Sequence, residues 1–173
     1  MHEQAKEFCS QIARETGDFH GQGLDIGGRD VNGDCRTLWP HLQWVVVDQM
    51  PRNTLFPLDS NVTYIETDAS TWEPQSVFDL VLCTEVFEHT SEWIKIIETA
   101  HKALRVGGLF VITCAGIGRV PHSAIDGAEL RQGEYYCNVS AEELGDQLYW
   151  RGFVGNPIYN PLSNDTYCRA VKV

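Results

Sequence analysis

The run Thr84-Glu85-Val86-Phe87-Glu88-His89 places two carboxylates and an imidazole within a few residues of one another. On a helix, Glu85, Glu88 and His89 stand at i, i+3 and i+4 and share one face. Such a trio supports three kinds of chemistry. His89 can act as a base that takes a proton from an attacking oxygen or nitrogen. The trio can form a facial cluster for a divalent ion, where oxygen ligands with one imidazole suit Mg or Mn better than structural Zn. It can also form a packed wall that lines a substrate.

Three further acids, Asp25, Asp48 and Asp68, each stand at or near the end of a short apolar run. Asp25-Ile26-Gly27-Gly28 pairs an acid with two glycines, whose missing side chains let a ligand approach the backbone. Asp48 follows by ~20 residues, the spacing that brings a carboxylate to a ribose diol. Asp68 is placed to accept from an adenine amine. A dinucleotide-binding turn wants Gly-x-Gly-x-x-Gly directly after the strand, and Gly27-Gly28-Arg29-Asp30-Val31-Asn32-Gly33 lacks that register. Asp25, ahead of the glycines, suits an amino or sulfonium group and opposes a pyrophosphate.

The elements that must position these residues follow from periodicity. Residues 3–15 carry Ala5, Phe8, Cys9, Ile12 and Ala13 at helical spacing and read as a leading amphipathic helix within residues 1–19. Apolar runs at 44–47, 62–65, 78–83 and 109–114 read as strands. Residues 92–104 read as a helix stopped by Gly107-Gly108, and Ser140 caps another through Trp150 with Glu143 in the capping-box position. Closing strands are expected at 154–159 and 166–173. Short apolar strands alternating with helices mean a parallel sheet covered on both faces, with ligands outside the strand C-termini.

These segments resemble the class I S-adenosylmethionine-dependent methyltransferase superfamily. The likeness is carried by Leu24-Asp25-Ile26-Gly27-Gly28, Val45-Val46-Val47-Asp48, Glu66-Thr67-Asp68-Ala69, the stretch from Phe78 through His89, and Leu104-Arg105-Val106-Gly107-Gly108-Leu109-Phe110. It implies a doubly wound α/β fold with a seven-stranded, mainly parallel Rossmann-like sheet whose last strand is antiparallel. It implies S-adenosyl-L-methionine as cofactor, with S-adenosyl-L-homocysteine as product. Asp25, Gly27 and Gly28 would hold the methionine end, Asp48 the ribose and Asp68 the adenine amine. Gln49 and Ala69 would flank the ring, and Cys83 and Thr84 would line the methionine side through their backbone. His89 and Glu85 would be the catalytic residues. The Glu-x-x-Glu-His run looks like the metal site of ubiquinone-pathway O-methyltransferases and small-RNA 2′-O-methyltransferases, in the latter of which a later histidine, here His122, completes the shell. This sequence departs from the family in its adjacent glycines followed by Arg29, and in the weak helical pattern between Asp48 and Asp68.

Composition narrows the partners. The 173 residues hold 13 Lys plus Arg against 24 Asp plus Glu, a net charge of -11, which counts against a general nucleic-acid or anionic-membrane binder. No apolar run reaches the ~20 residues of a membrane helix, and the polar start of the chain predicts no secretory leader. Six scattered cysteines without Cys-x-x-Cys predict free thiols and a cytoplasmic address. Residues 115–138 form a long irregular stretch expected to be a lid over a small-molecule acceptor, and Arg119 and Arg131 there suggest an anionic one. The whole chain reads as one methyltransferase domain, methylating O or N of a small molecule. The alternatives are a cofactor-binding subunit without activity, or a dinucleotide-binding enzyme. Asn156-Pro157-Ile158-Tyr159 resembles the tetrapeptide of amino-group DNA methyltransferases but stands at the wrong place, and Asp30-Val31-Asn32-Gly33-Asp34 lacks the glycine that a calcium loop needs at its sixth position.

Overall fold

The computed structural model describes residues 3–30, 33–55 and 59–173. Helix α1 (Glu3–Thr16) is followed by β1 (Gly21–Ile26), β2 (Leu42–Asp48), β3 (Val62–Glu66) and β4 (Phe78–Thr84). Then come α2 (Trp93–Ala103), β5 (Leu104–Ala115), α3 (Ala141–Trp150), β6 (Phe153–Gly155), β7 (Ile158–Asn160) and β8 (Asp165–Lys172). The sheet order is β3-β2-β1-β4-β5-β8-β6, with β7 also on β8. Strands β1 to β5 are parallel, and β8 runs antiparallel to β5.

The apolar strand runs are buried on both faces, as expected for a parallel sheet. Leu42, Leu80, Leu82 and Val111 pack beneath Cys9 and Ile12 of α1. On the other face Leu24, Ile26, Val81, Phe110 and Ile112 meet Ile96, Ile97 and Ala100 of α2 and Leu144 and Leu148 of α3. The Ser140 cap forms as the sequence predicts, its hydroxyl accepting from the Glu143 N–H at 3.0 Å. All six thiols are unbridged.

Three departures have local causes. The sixth of the expected strands is split: β6 and β7 follow one continuous register along β8, interrupted at Asn156-Pro157, so eight segments replace the expected seven strands. Pro157 has no N–H to give the ladder, and edge strands are where such breaks are tolerated. Gly107-Gly108 does not end a helix. α2 ends at Ala103, and the glycines fall in a bulge where the register shifts between Phe78 and Leu80. Between β1 and β2 the described residues form only a one-turn 3-10 helix at Arg36–Leu38, and none between β2 and β4 forms an α-helix. The winding is therefore sparse on the side of β1 to β3. Val31 and Asn32 of the calcium-like sequence lie outside the described residues.

Candidate functional site

Strand order reverses between β1 and β4, and a cleft of about 700 Å³ opens there, along the C-terminal ends of the strands. Asp25, Gly27, Gly28, Asp48, Gln49, Asp68, Ala69, Glu85 and His89 all line it. The rim is stitched by backbone bonds just beyond the strand ends: Gly27 N–H to Val47 at 2.8 Å, Thr67 N–H to Asp48 at 2.8 Å and Glu85 N–H to Thr113 at 2.7 Å. Cys83 is the exception among the expected residues. It is fully buried on β4 and does not line the cleft, whereas Thr84, expected beside it, does.

In the half of the cleft over β2 and β3, two carboxylates are fixed by their own turns. Asp48 accepts from the Met50 N–H at 2.8 Å through Oδ1 and from the Arg29 N–H at 3.2 Å through Oδ2. Each oxygen retains a lone pair for a further donor. Burial raises the Asp48 pKa against these bonds. Asp68 Oδ1 accepts from the Ser70 N–H at 2.8 Å. The next carbonyl, of Ala69, accepts from the buried Thr99 hydroxyl at 2.8 Å, which ties this turn to α2.

Under the glycine turn lies a residue that the sequence analysis missed. Arg36, 7% exposed, donates from Nη1 to Asp25 Oδ2 at 2.9 Å and to the Gly28 carbonyl at 2.8 Å. Its Nη2 reaches both oxygens of Asp30 at 3.0 Å and Asp34 at 3.1 Å. Burial pushes the Asp25 carboxyl up to about 7, against the pull of Arg36. A Cβ on Gly28 would stand 2.3 Å from Asp25 Oδ2, and one on Gly27, at φ +74°, would stand 2.2 Å from Val86 Cγ2. Adjacent glycines are therefore required by this ion pair and by the β4 turn. The available signal was charge balance: a buried acid at a strand end needs a nearby cation, and Arg29 and Arg36 are the next basic residues.

The other half corrects the helical reading of Glu85, Glu88 and His89. Glu85 has φ +58°, a left-handed conformation, and a single 3-10 turn covers Phe87–His89 before Thr90 extends. Glu85 and His89 still face the cleft, and Glu85 Oε1 accepts from the Thr113 hydroxyl at 2.8 Å. Glu88 lies below, wholly buried, and neither of its oxygens makes a hydrogen bond. Burial and the Glu85 charge push its pKa well up. The rings of His89, His122 and Tyr136 pack edge-on at 5.1–5.6 Å. Burial, with His122 beside it, lowers the His89 pKa to about 4. One ligand atom each from Glu88, His89 and His122 lies within 4.8 Å of the others; Glu85 is not part of this cluster. Asn156-Pro157-Ile158-Tyr159 lies at the sheet edge, outside the cleft lining.

The model of a methyltransferase-domain family matches residues 1–156. The chain belongs to this methyltransferase-domain family. Among solved structures, this methyltransferase is similar to an S-adenosylmethionine-dependent methyltransferase from Mesorhizobium loti, with 17% identity, a TM-score of 0.71, and 94% of this chain and 96% of that one covered. It is similar to the N-methyltransferase NodS from Bradyrhizobium japonicum in complex with S-adenosylhomocysteine, with 19% identity, a TM-score of 0.68 and coverage of 98% and 86%. A third is the Burkholderia thailandensis 1,6-didemethyltoxoflavin-N1-methyltransferase with bound 1,6-didemethyltoxoflavin and S-adenosylhomocysteine, with 17% identity, a TM-score of 0.69 and coverage of 98% and 78%. At these identities the likeness is one of fold. No curated protein sequence matches the methyltransferase. No described helix is long and apolar enough to cross a membrane.

Proposed function

We propose that this methyltransferase takes its methyl group from S-adenosyl-L-methionine and passes it to an oxygen or nitrogen of a small molecule. The observation that carries the reading is the pair Asp48 and Asp68, held by their own turns at neighbouring strand ends beside a glycine turn too tight for any side chain. Asp48 receives the ribose hydroxyls and Asp68 the adenine amine, with Gln49 and Ala69 beside the ring. Gly27, Gly28 and Asp25 border the methionine end. There Arg36 offsets the Asp25 charge, so the cofactor's amino group meets a neutralised pair rather than a bare carboxylate.

The cofactor supplies a methyl carbon on a sulfonium. The acceptor's lone pair forms the new bond to that carbon as the carbon–sulfur bond breaks with its electrons on sulfur, and the acceptor's proton departs. Glu85 and His89 face the acceptor. His89 is neutral at physiological pH and can accept a hydrogen bond from it. Residues 115–138 close over the acceptor, and the unbridged thiols support work in the cytoplasm. Calorimetry with S-adenosylhomocysteine tests the assignment. We expect Asp48→Ala to weaken binding at least ~10-fold, as loss of a charged hydrogen-bond acceptor should, and NAD to give no thermal stabilisation. Unchanged affinity removes Asp48 from the site. Turnover by the purified chain separates an enzyme from a binding subunit.

A second reading rests on the convergence of Glu88, His89 and His122. Two imidazoles and one carboxylate suit a transition ion such as Mn or Zn rather than the oxygen-rich Mg shell. The orphaned Glu88 oxygens fit that role. Chelation decides: the first reading expects turnover to survive EDTA, and the second expects loss, with recovery on adding Mn.

A further inference from the structure

The sheet face that carries α1 brings two thiols together. Cys9 lies on the buried side of α1 with Ala5 and Ile12, wholly enclosed. Cys35 stands directly ahead of the 3-10 turn at Arg36–Leu38. Both belong to one apolar cluster with Ile12, Trp39 and Leu42, and their side chains are hydrogen-bonded to each other. Trp39 Nε1 donates to the Thr16 hydroxyl at 3.0 Å, so the turn is held against α1 at a second point. Neither thiol is bridged. Their surroundings differ. Cys35 lines the cleft beside Asp34, whereas Cys9 does not reach it. The Cys35 sulfur and burial push the Cys9 thiol far up. A small reagent entering the cleft therefore meets Cys35 first. Cys83, Cys114 and Cys168 lie in the core on the opposite face and do not line the cleft.

We propose that Cys9 and Cys35 are a peroxide-sensitive pair that closes to a disulfide, tying α1 to the turn that bears Arg36. The Cys35 sulfur attacks one oxygen of hydrogen peroxide, the oxygen–oxygen bond breaks, and a water leaves with the Cys35 proton. Cys35 is then a sulfenic acid. The Cys9 sulfur attacks the Cys35 sulfur, the sulfur–sulfur bond forms, and the hydroxyl departs with the Cys9 proton as a second water. Two thiols lose two electrons and two protons, and one peroxide becomes two waters. A covalent bond brings sulfurs closer than thiols pack, so closure draws Cys35 toward α1. Arg36, the next residue, holds Asp25 at 2.9 Å and the Gly28 carbonyl at 2.8 Å, distances that tolerate little displacement. Oxidation thus loosens the glycine turn. The disulfide stands on the packing of α1 alone, and its effect on binding rests on the cofactor reading of the cleft.

The test treats the full chain with excess hydrogen peroxide, quenches with catalase, alkylates the remaining thiols and maps tryptic peptides without reductant. We expect the peptides of residues 7–14 and 30–36 to be joined, lighter than their sum by two hydrogens, and to be separated by dithiothreitol. Calorimetry should show S-adenosylhomocysteine binding weakened several-fold by oxidation and restored by dithiothreitol. By reciprocity, S-adenosylhomocysteine added first should slow the cross-link several-fold. Cys9→Ala should bind S-adenosylhomocysteine as the reduced chain does and form no cross-link. Peroxide with dimedone should then label Cys35, whose sulfenic acid has lost its partner. Peroxide that leaves both thiols unmodified, or that modifies only the half-buried Cys137, overturns the pair. Absence of dimedone at Cys35 overturns it as the attacking sulfur. A cross-link with S-adenosylhomocysteine affinity unchanged overturns the coupling to the glycine turn. Failure of the reduced chain to bind S-adenosylhomocysteine overturns the cofactor reading, and the peptide map still decides the pair.

Discussion

Arg36 shows how one side chain can hold a binding turn together. It donates to Asp25 Oδ2, and it also holds the Gly28 carbonyl and Asp30. Removing one member of a buried ion pair leaves the rest uncompensated and costs ~3–5 kcal/mol. Arg36→Met is therefore expected to lose that much in urea denaturation and to weaken S-adenosylhomocysteine binding. Arg36→Lys keeps the charge but loses the fork onto Asp30, and should fall between the two. His89 makes a second prediction at this scale. Its folded pKa, about 4, lies below the usual ~6.5 of histidine, so the unfolded chain takes up a proton first as pH falls. Its contribution to stability is complete above the unfolded value and is lost as pH falls through the folded one. An NMR titration of the His89 ring should find its midpoint near 4, and a midpoint near 6.5 would show the ring to be solvated.

The elements around the site are positioned by a few buried polar ties where helices are missing. With no α-helix among the described residues between β3 and β4, the turn bearing Asp68 depends on α2, through the Thr99 hydroxyl on the Ala69 carbonyl. Thr99→Val keeps the shape and leaves that carbonyl unpaired, at ~1–3 kcal/mol. We expect loss of stability in that range on thermal unfolding, with weaker S-adenosylhomocysteine binding. α2 is tied in turn at its C-terminus by Lys172 of β8, whose Nζ donates to the carbonyls of His101 at 2.6 Å and Leu104 at 2.8 Å. The strands were legible in the sequence because continuous apolar runs leave few other readings, and Asp48 and Asp68 were legible because they close such runs. The turn at Glu85 was not. Spacing at i, i+3 and i+4 presumes helical backbone throughout, and no residue type announces a left-handed glutamate. Arg36 was not legible either, since an arginine in a polar stretch looks like a solvated one until Asp25 is seen to be buried. The split of the last edge strand was signalled by Pro157, whose missing donor the run of apolar residues obscured.

At the scale of the whole molecule, a net charge of -11 acts on ligands before they touch the cleft. That field attracts an ammonium from a distance and repels a carboxylate, while S-adenosylhomocysteine, a zwitterion, feels little of it. Long-range attraction works on the rate of encounter, and it fades as the screening length shortens from ~30 Å at 0.01 M salt to ~10 Å at 0.1 M. A contact made inside the cleft is short-ranged and is screened much less. The two contributions therefore separate by kinetics. Stopped-flow binding of phenethylamine should show an association rate that falls several-fold between 10 and 300 mM salt, about as steered encounters do, with the dissociation rate almost unchanged. An association rate indifferent to salt would mean that the acceptor does not sense the chain's acidity. The charge surplus would then serve solubility rather than the recruitment of ligands.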